Sequence, residues 1–172
     1  ATDFGDMLGT YQAQARAMSP TRGLAAGNYG ASNLIEFITI ATTGNSTDFG
    51  DRTVAAYSAT GTSDNTRGVF AGGDGPTTNV IDFVTMATTG NATDFGDLQF
   101  VTHFASGLNN NTRGVFSGFN NTGAPGADST FGNCPQISYI TIASTGNYTN
   151  FGDLTARRYG LAAASNCHGS LS

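Results

Sequence analysis

The sequence predicts an all-β protein, and three observations carry that prediction. The chain repeats itself with a period close to 46 residues: "ATTGNSTDFGD" at 41–51 and "ATTGNATDFGD" at 87–97 differ at one position, and "NTRGVF" occurs unchanged at 65–70 and 111–116. Gly and β-branched residues are dense throughout, and no segment keeps an apolar stripe at helical spacing for more than about two turns. Short apolar runs recur instead, separated by clusters of Gly, Asn, Asp and Thr that favour turns. Periods of about 40 to 50 residues belong to propeller blades or to paired-helix solenoids, and the absence of a helical texture leaves the blades.

Within one unit the elements come in a fixed order. Val101 to Ser106 is expected as a first strand, Gly114 to Gly118 as a second and Ile137 to Ala143 as a third, while the DFGD phrase and the residues after it read as a turn and a short fourth strand. The third strand decides the packing. In "LIEFITI" (34–40), Ile35, Phe37 and Thr39 share one face, and Leu34, Ile38 and Ile40 share the other around Glu36; "VIDFVTM" (80–86) and "QISYITI" (136–142) have the same pattern. A strand apolar on both faces is one covered on both sides, as when small sheets stack on one another. The small residues of "LAAGN" (24–28), "FAGGD" (70–74) and "FSGFN" (116–120) fit places where strands crowd together toward an axis.

These units make a single repeat domain over 1–172: units at about 1–46, 47–92 and 93–148, and a partial one at 149–172. At 172 residues the chain is long enough to bury roughly 70% of its unfolded surface in a compact core. It starts without Met and inside a repeat, which points to a fragment or a processed product of a longer polypeptide. Counting strands gives three to four blades, few for a ring, so closure through other copies of the chain is expected.

Charge excludes some partners. Seven Lys and Arg stand against twelve Asp and Glu, for a net charge of −5, and no basic patch is present to hold nucleic acid or an anionic membrane surface. No apolar run approaches the ~18–20 residues of a membrane span. Cys134 and Cys167 fit no zinc spacing, and a disulfide between them and two unrelated thiols both stay open; His103 and His168 stand alone. No cofactor is expected.

The phrase Asp94-Phe95-Gly96 matches the magnesium-holding triplet of protein kinases, but the rest of that site, a phosphate loop, a strand Lys and an HRD loop, is missing. The phrase also occurs at Asp3, Asp48 and, as Asn150-Phe151-Gly152, once more. A catalytic motif has no reason to appear four times. Gly to turn the backbone, Asp to accept backbone N–H groups and Phe to anchor the core explain it better. A calcium reading through Asp48 and Asp51 is weaker, since the fourth copy has Asn150. Arg22, Arg67 and Arg113 recur with the period. They are expected to pair with repeat carboxylates such as Asp51 or Asp97 and tie neighbouring units together; a ring gripping an acidic sugar is the functional alternative.

An apolar strand ending in Gly-Gly, then an aromatic-containing strand, a turn and a further aromatic resembles the kelch-type blade. Phe70, Gly72, Gly73, Phe83 and Phe95 occupy those places, Phe95 where such blades usually carry Trp. The phrase "ATTGNATDFGDL…NTRGVF…NVIDFVTM" also resembles repeats of structural and fibre proteins of bacteriophages from aquatic environments, over nearly the whole chain. That resemblance implies a noncatalytic structural or adhesive role on a virion or extracellular fibre, with other copies, other particle proteins and a host-surface glycan as partners. A secreted propeller-type carbohydrate-active enzyme is the alternative, although no Ser/His/Asp or Cys/His set can be placed together.

Individual recognition is expected where the period breaks. "FNNTGAPGADSTFGNCPQ" at 119–136 adds about ten residues to the third unit, and a Gly-, Pro- and Asn-rich loop on a rigid scaffold is a place for binding. Asn120, Asn121, Asp128 and Phe131 are its candidate contact residues. The sequons at Asn45, Asn91, Asn110, Asn120 and Asn147 arise readily by chance in so Asn- and Thr-rich a chain.

Overall fold

The computed structural model describes residues 1–9, 12–121, 132–163 and 165. Every regular element among the described residues is a β-strand, and the strands form three four-stranded antiparallel sheets, each a meander of sequential neighbours. The first contains β1 (Ala15–Met18), β2 (Arg22–Asn28), β3 (Ser32–Thr39) and β4 (Thr47–Asp51). The second contains β5 (Thr60–Ser63), β6 (Arg67–Gly73), β7 (Thr78–Thr85) and β8 (Thr93–Thr102). The third contains β9 (Ser106–Asn109), β10 (Arg113–Ser117), β11 (Gln136–Thr141) and β12 (Thr149–Asp153).

The registers repeat with the sequence. Arg22 pairs with Thr39, Arg67 with Thr85 and Arg113 with Thr141, so each sheet is one copy of the same unit. Two expectations need correction. Val101 and Thr102 belong to the end of β8, and the first strand of the third sheet starts only at Ser106. The DFGD phrase is itself the fourth strand rather than a turn. In the first sheet Ile35 opposes Gly50 while Glu36 opposes Asp48, leaving Phe49 as the extra residue of a bulge. The second and third sheets shift register at the same place. The turn chemistry is present, but it bends a strand instead of ending one: Gly50 has a φ of 142°, and its N–H is accepted by Asp48 Oδ1 at 2.9 Å.

Two cores hold the sheets together. Leu24, Ile35 and Phe49 of the first sheet meet Phe70, Val84 and Met86 of the second. Val69, Ile81 and Phe95, from the opposite side of the second sheet, meet Phe116, Ile140 and Ile142 of the third. The prediction that the third strand is covered on both faces therefore holds for β7, which sends Val84 into one core and Ile81 into the other. For β3 the second cover is partial: no described sheet lies beyond it, but Glu36 is buried beneath the N-terminal segment, Leu34 and Ile38 are half-buried, and only Ile40, just past the strand, reaches 44% exposure. The first strands also approach closely. A Cβ at Gly61 would collide with the Arg16 backbone, and one at Gly107 with the Gly61 carbonyl, so glycine lets β1, β5 and β9 converge.

A buried ion pair lies between these layers. Arg52, in the link from β4 to β5, donates from Nε to Asp82 Oδ1 at 3.2 Å, with both side chains fully buried. Thr53 completes the carboxylate's partners by donating its N–H and its hydroxyl to Asp82 Oδ2, each at 2.9 Å. In the first sheet Glu36 is buried as well, accepting from Ser46 Oγ at 2.7 Å, Leu8 N at 3.0 Å and Gln14 Nε2 at 3.1 Å. The acidic residue inside each of these two apolar third strands is thus satisfied by its own local partners.

Candidate binding rim

The repeated residues are occupied with holding units together. The Phe4, Phe49 and Phe95 carbonyls each accept from a glycine of the next TGN loop: Gly44, Gly90 and Gly146, all at 2.7 Å. The asparagine after that glycine closes the clasp. Asn45, Asn91 and Asn147 accept at Oδ1 from the N–H of Asp6, Asp51 and Asp97 at 2.9, 3.1 and 3.0 Å. Three of the five sequon asparagines are thereby structural. With Asp48 Oδ1 committed to Gly50, and no group of three or more His, Cys, Asp or Glu arranged for a metal ion among the described residues, the calcium reading of this phrase gains no support.

The arginines also tie neighbours, but through different acceptors than expected. Arg22 lies over the Phe37 ring at 4.7 Å and donates from Nη1 to the Met86 carbonyl at 2.8 Å; Arg67 lies over Phe83 at 4.6 Å and donates to the Ile142 carbonyl at 2.9 Å. Neither bond goes to Asp51 or Asp97. Those aspartates are exposed or half-buried in the fourth strands and oppose the starts of the third strands, at Leu34 and Val80, whereas Arg22 and Arg67 oppose the third strands' last residues, Thr39 and Thr85, and lie over an aromatic ring.

A second ladder links the units where the chain passes into each first strand. Ser58 N donates to the Ala13 carbonyl at 2.7 Å, Phe104 N to the Ser58 carbonyl at 3.0 Å, and Gly160 N to the Phe104 carbonyl at 3.1 Å. Ala13, Ser58, Phe104 and Gly160 all have φ between 53° and 63°, a conformation few non-glycine residues adopt. The residue before each of the first three faces the hairpin joining the second and third strands: Tyr29 N donates to the Gln12 carbonyl at 3.3 Å, Tyr57 and Asp74 exchange both backbone bonds, and Asn120 N donates to the His103 carbonyl at 3.1 Å. The backbone is constant here and the side chains are not: Gln12 with Tyr29, Tyr57 with Asp74, His103 with Asn120.

This rim carries aromatic surface. The Tyr29 and Tyr57 rings are 5.0 Å apart, His103 and Phe104 4.8 Å, and Phe104 and Tyr159 6.2 Å. Tyr29, Phe104 and Tyr159 are exposed. Asp74 sits among them: its Oδ1 accepts from Gly75 N and Thr77 Oγ1, both at 2.8 Å, and its Oδ2 accepts from the Tyr57 hydroxyl at 3.1 Å. The Thr77 hydroxyl, the Gly75 N–H, the Tyr57 hydroxyl and the nearby His103 hold the Asp74 carboxyl below its ordinary range, outweighing some desolvation. The same bond, now to a carboxylate acceptor, pushes the Tyr57 phenol up.

Of the sequence-predicted contact residues, Asn120 falls within this rim and Asn121 beside it. Asn121 N donates to the Gly132 carbonyl at 2.7 Å, its Nδ2 donates to the Val101 carbonyl, and Thr102 Oγ1 donates to the Asn120 carbonyl at 3.2 Å. These bonds fasten the base of the inserted loop to β8. Asp128 and Phe131 lie outside the described residues, as does Cys167, while Cys134 is buried between the second and third sheets. Tyr29, Tyr57, Asp74, Phe104 and Tyr159 were missed, although a signal existed: Tyr57, His103 and Tyr159 are rings spaced 46 and 56 residues apart, the spacing of the repeat itself with its insertion. Elsewhere, a groove of about 280 Å³ runs past the first strands, lined by Gln14, Arg16, Ser63, Ser106 and Asn109 among others, with no carboxylate among the described residues that line it.

The fold and rim define an all-β repeat protein with a constant frame and a variable edge. Compared with known proteins, the chain matches no protein-family model and no curated protein sequence.

Proposed function

We propose that this chain is a noncatalytic structural and adhesive module built of kelch-like blades, part of a phage particle or an extracellular fibre, that joins further repeat units and displays its rim to surface glycans. One observation carries the reading. The clasp between a fourth strand and the next unit's TGN loop is closed at the first and second sheets and left open at the third: Phe49 and Phe95 are 2% and 3% exposed, whereas Phe151 is 56% exposed. Gly50 and Gly96 abut the next loop, whereas nothing lies within 4 Å of a Cβ at Gly152. Beside Phe151, Tyr139 packs edge-on at 6.0 Å, just as Phe37 packs on Phe49 and Phe83 on Phe95 at 5.8 Å.

The outer face of the third sheet is therefore the same adhesive surface that the first two sheets bury, ready for another unit. Supplied by a second chain, that unit brings closure through assembly and no longer needs a ring within one chain. The repeated polar residues are used in the frame, which leaves recognition to the residues that differ between copies.

Sedimentation velocity over a hundredfold range of concentration tests the assembly half. Association that Phe151→Asp abolishes is the expected result, and a chain that stays monomeric throughout overturns it. Incubation with a panel of polysaccharides tests the noncatalytic half: release of reducing ends would favour a carbohydrate-active enzyme instead.

A further inference from the structure

We infer that the aromatic rim is a binding platform for a neutral oligosaccharide, with Tyr29, Tyr57 and Asp74 forming its central subsite. The inference rests on the adhesive half of the proposed function and moves its centre along the rim, from the base of the inserted loop to the Tyr29–Tyr57 pair. Sugars are recognised by two features together: the flat face of an exposed aromatic ring, which covers the C–H face of a pyranose, and fixed polar groups that take its hydroxyls in plane. Both occur here on one edge of the fold. Tyr29 is 62% exposed, and its ring stands 5.0 Å from that of Tyr57 at a tilt of 57°, so the two make an angled wall rather than a closed stack.

Asp74 stands at the foot of that wall and is already fixed. Gly75, Thr77 and Tyr57 donate three bonds to its two oxygens, which leaves lone-pair capacity for a ligand hydroxyl without any need to reorient. A site ordered before binding loses less entropy on binding. The charge also sets the ligand class. A carboxylate at the centre, in a chain of net charge −5, opposes uronic and sialic acids and accepts from neutral hydroxyls. The periodic arginines do not offset this, because Arg22, Arg67 and Arg113 lie over rings of the frame, and the exposed Arg157 and Arg158 precede Tyr159 rather than belonging to the Tyr29–Tyr57–Asp74 subsite.

The platform is longer than one sugar. The backbone ladder through Ala13, Ser58, Phe104 and Gly160 carries the rim from one sheet to the next, so the Tyr29–Tyr57 wall continues toward His103, Phe104 and Tyr159. Buried polar atoms without a hydrogen-bond partner among the described residues lie along the same ladder: Ser58 Oγ and His103 Nδ1. Buried groups of this kind normally find a partner. A row of ring faces with interspersed polar groups fits a chain of hydroxylated rings, the ring faces covering C–H faces and the polar groups taking hydroxyls.

The chain contains no Trp and six Tyr, of which Tyr29, Tyr57 and Tyr159 lie on the rim, so a change in tyrosine emission that is lost in the rim variants reports on the site. We would titrate the full chain with malto-, cello- and mannotetraose, and with tetragalacturonate as the acidic counterpart, checking each variant for native folding by far-ultraviolet circular dichroism. The expected result is saturable binding of at least one neutral tetrasaccharide, at least tenfold weaker binding of tetragalacturonate, and at least tenfold loss in both Tyr29→Ala and Asp74→Asn. Tyr29 is largely in solvent, so its truncation keeps the fold. Asn121→Ala, at the base of the inserted loop, should bind as the parent does. Binding that survives both rim changes but falls with Asn121→Ala overturns the rim site while keeping the adhesive reading; no binding by the parent chain overturns both.

Discussion

The N–H of Gly90 donates to the carbonyl of Phe49 at 2.7 Å, and the Gly50 next to Phe49 stands so close that a Cβ there would lie 2.5 Å from the Gly90 carbonyl oxygen. The same contact recurs between Gly96 and Gly146. A phrase that looks like a catalytic triplet is thus half of a clasp, in which the bulged Phe enters the core and the adjoining Gly lets the next unit's loop reach the strand. The clasp makes a prediction that separates contact from conformation. Gly96 and Gly152 have φ of 147° and 144°, nearly the same left-handed backbone, but a Cβ at Gly96 would lie 2.5 Å from Gly146 O and one at Gly152 would meet nothing. Gly152→Ala should cost about 1–3 kcal/mol from backbone strain alone. Gly96→Ala carries the same strain plus the collision, and urea unfolding should place it below Gly152→Ala by a further margin of at least ~1 kcal/mol. Equal losses would mean that the clasp adds no packing constraint.

The buried pair of Arg52 and Asp82 predicts an asymmetry of a different kind. Removing one partner leaves a charge stranded between two sheets, so Asp82→Ala should destabilise by about 3–5 kcal/mol. Replacing both with apolar residues of similar size should cost far less, because no unpaired charge remains. A double-mutant cycle on Arg52→Met and Asp82→Leu, monitored by thermal unfolding, measures the difference; additive losses would show that the pair is not energetically coupled.

Much of the frame was legible in the sequence, and the reasons are particular. The repeat of "NTRGVF" and "TGNxTDFGD" set the number of units, because identical phrases impose identical registers, as the pairing of Arg22, Arg67 and Arg113 with Thr39, Thr85 and Thr141 shows. The double-faced third strand foretold stacked sheets. Composition does not state how a Gly-containing phrase bends, so DFGD read as a turn although Gly50 serves a bulge within a strand. Charge alone points the arginines to carboxylates, whereas Arg22 and Arg67 reach a ring of their own sheet and a carbonyl of the next unit. The rim was harder, since its pairs are remote in sequence and differ in every unit. Only the bridge of Tyr57 with Asp74, and of His103 with Asn120, brings them onto one edge.

The arginine stacking yields a third prediction. Arg67 Cζ lies over the Phe83 ring at 4.6 Å from its centre and the side chain reaches the Ile142 carbonyl at 2.9 Å, two contacts that a guanidinium makes together and an ammonium does not. Arg67→Lys should lower stability by about 1–2 kcal/mol, the combined scale of a partly desolvated cation–π contact and a charged hydrogen bond. Arg113 stacks on Tyr139 at 4.6 Å but is exposed, with no carbonyl of a further sheet to bind among the described residues. Arg113→Lys should therefore cost less than half as much in the same denaturant titration; a larger loss at Arg113 would reverse the assignment.

Tyr57 and Asp74 give the rim a pH signature with a defined sign. The bond from the Tyr57 hydroxyl to Asp74 raises the phenol above its ordinary value of 10.0, so the folded state holds that proton more tightly than the unfolded chain does. Its contribution to stability is fully present below pH 10 and disappears as pH climbs through the raised native value. Asp74 behaves oppositely. Chiefly through Thr77, its carboxyl lies below the ordinary 3.8, so its contribution is present above that pH and is lost as pH falls through the lowered native value. Between these limits the pair should be insensitive to pH, and the two effects describe one shared bond that must be counted once. Tyrosinate absorbance of the native protein should therefore show one residue ionising later than the other accessible tyrosines, and Asp74→Ala should bring that residue back toward its ordinary range. If the late tyrosine persists in Asp74→Ala, the raised value has another source, and Asp74 is not the fixed acceptor that the proposed sugar site requires.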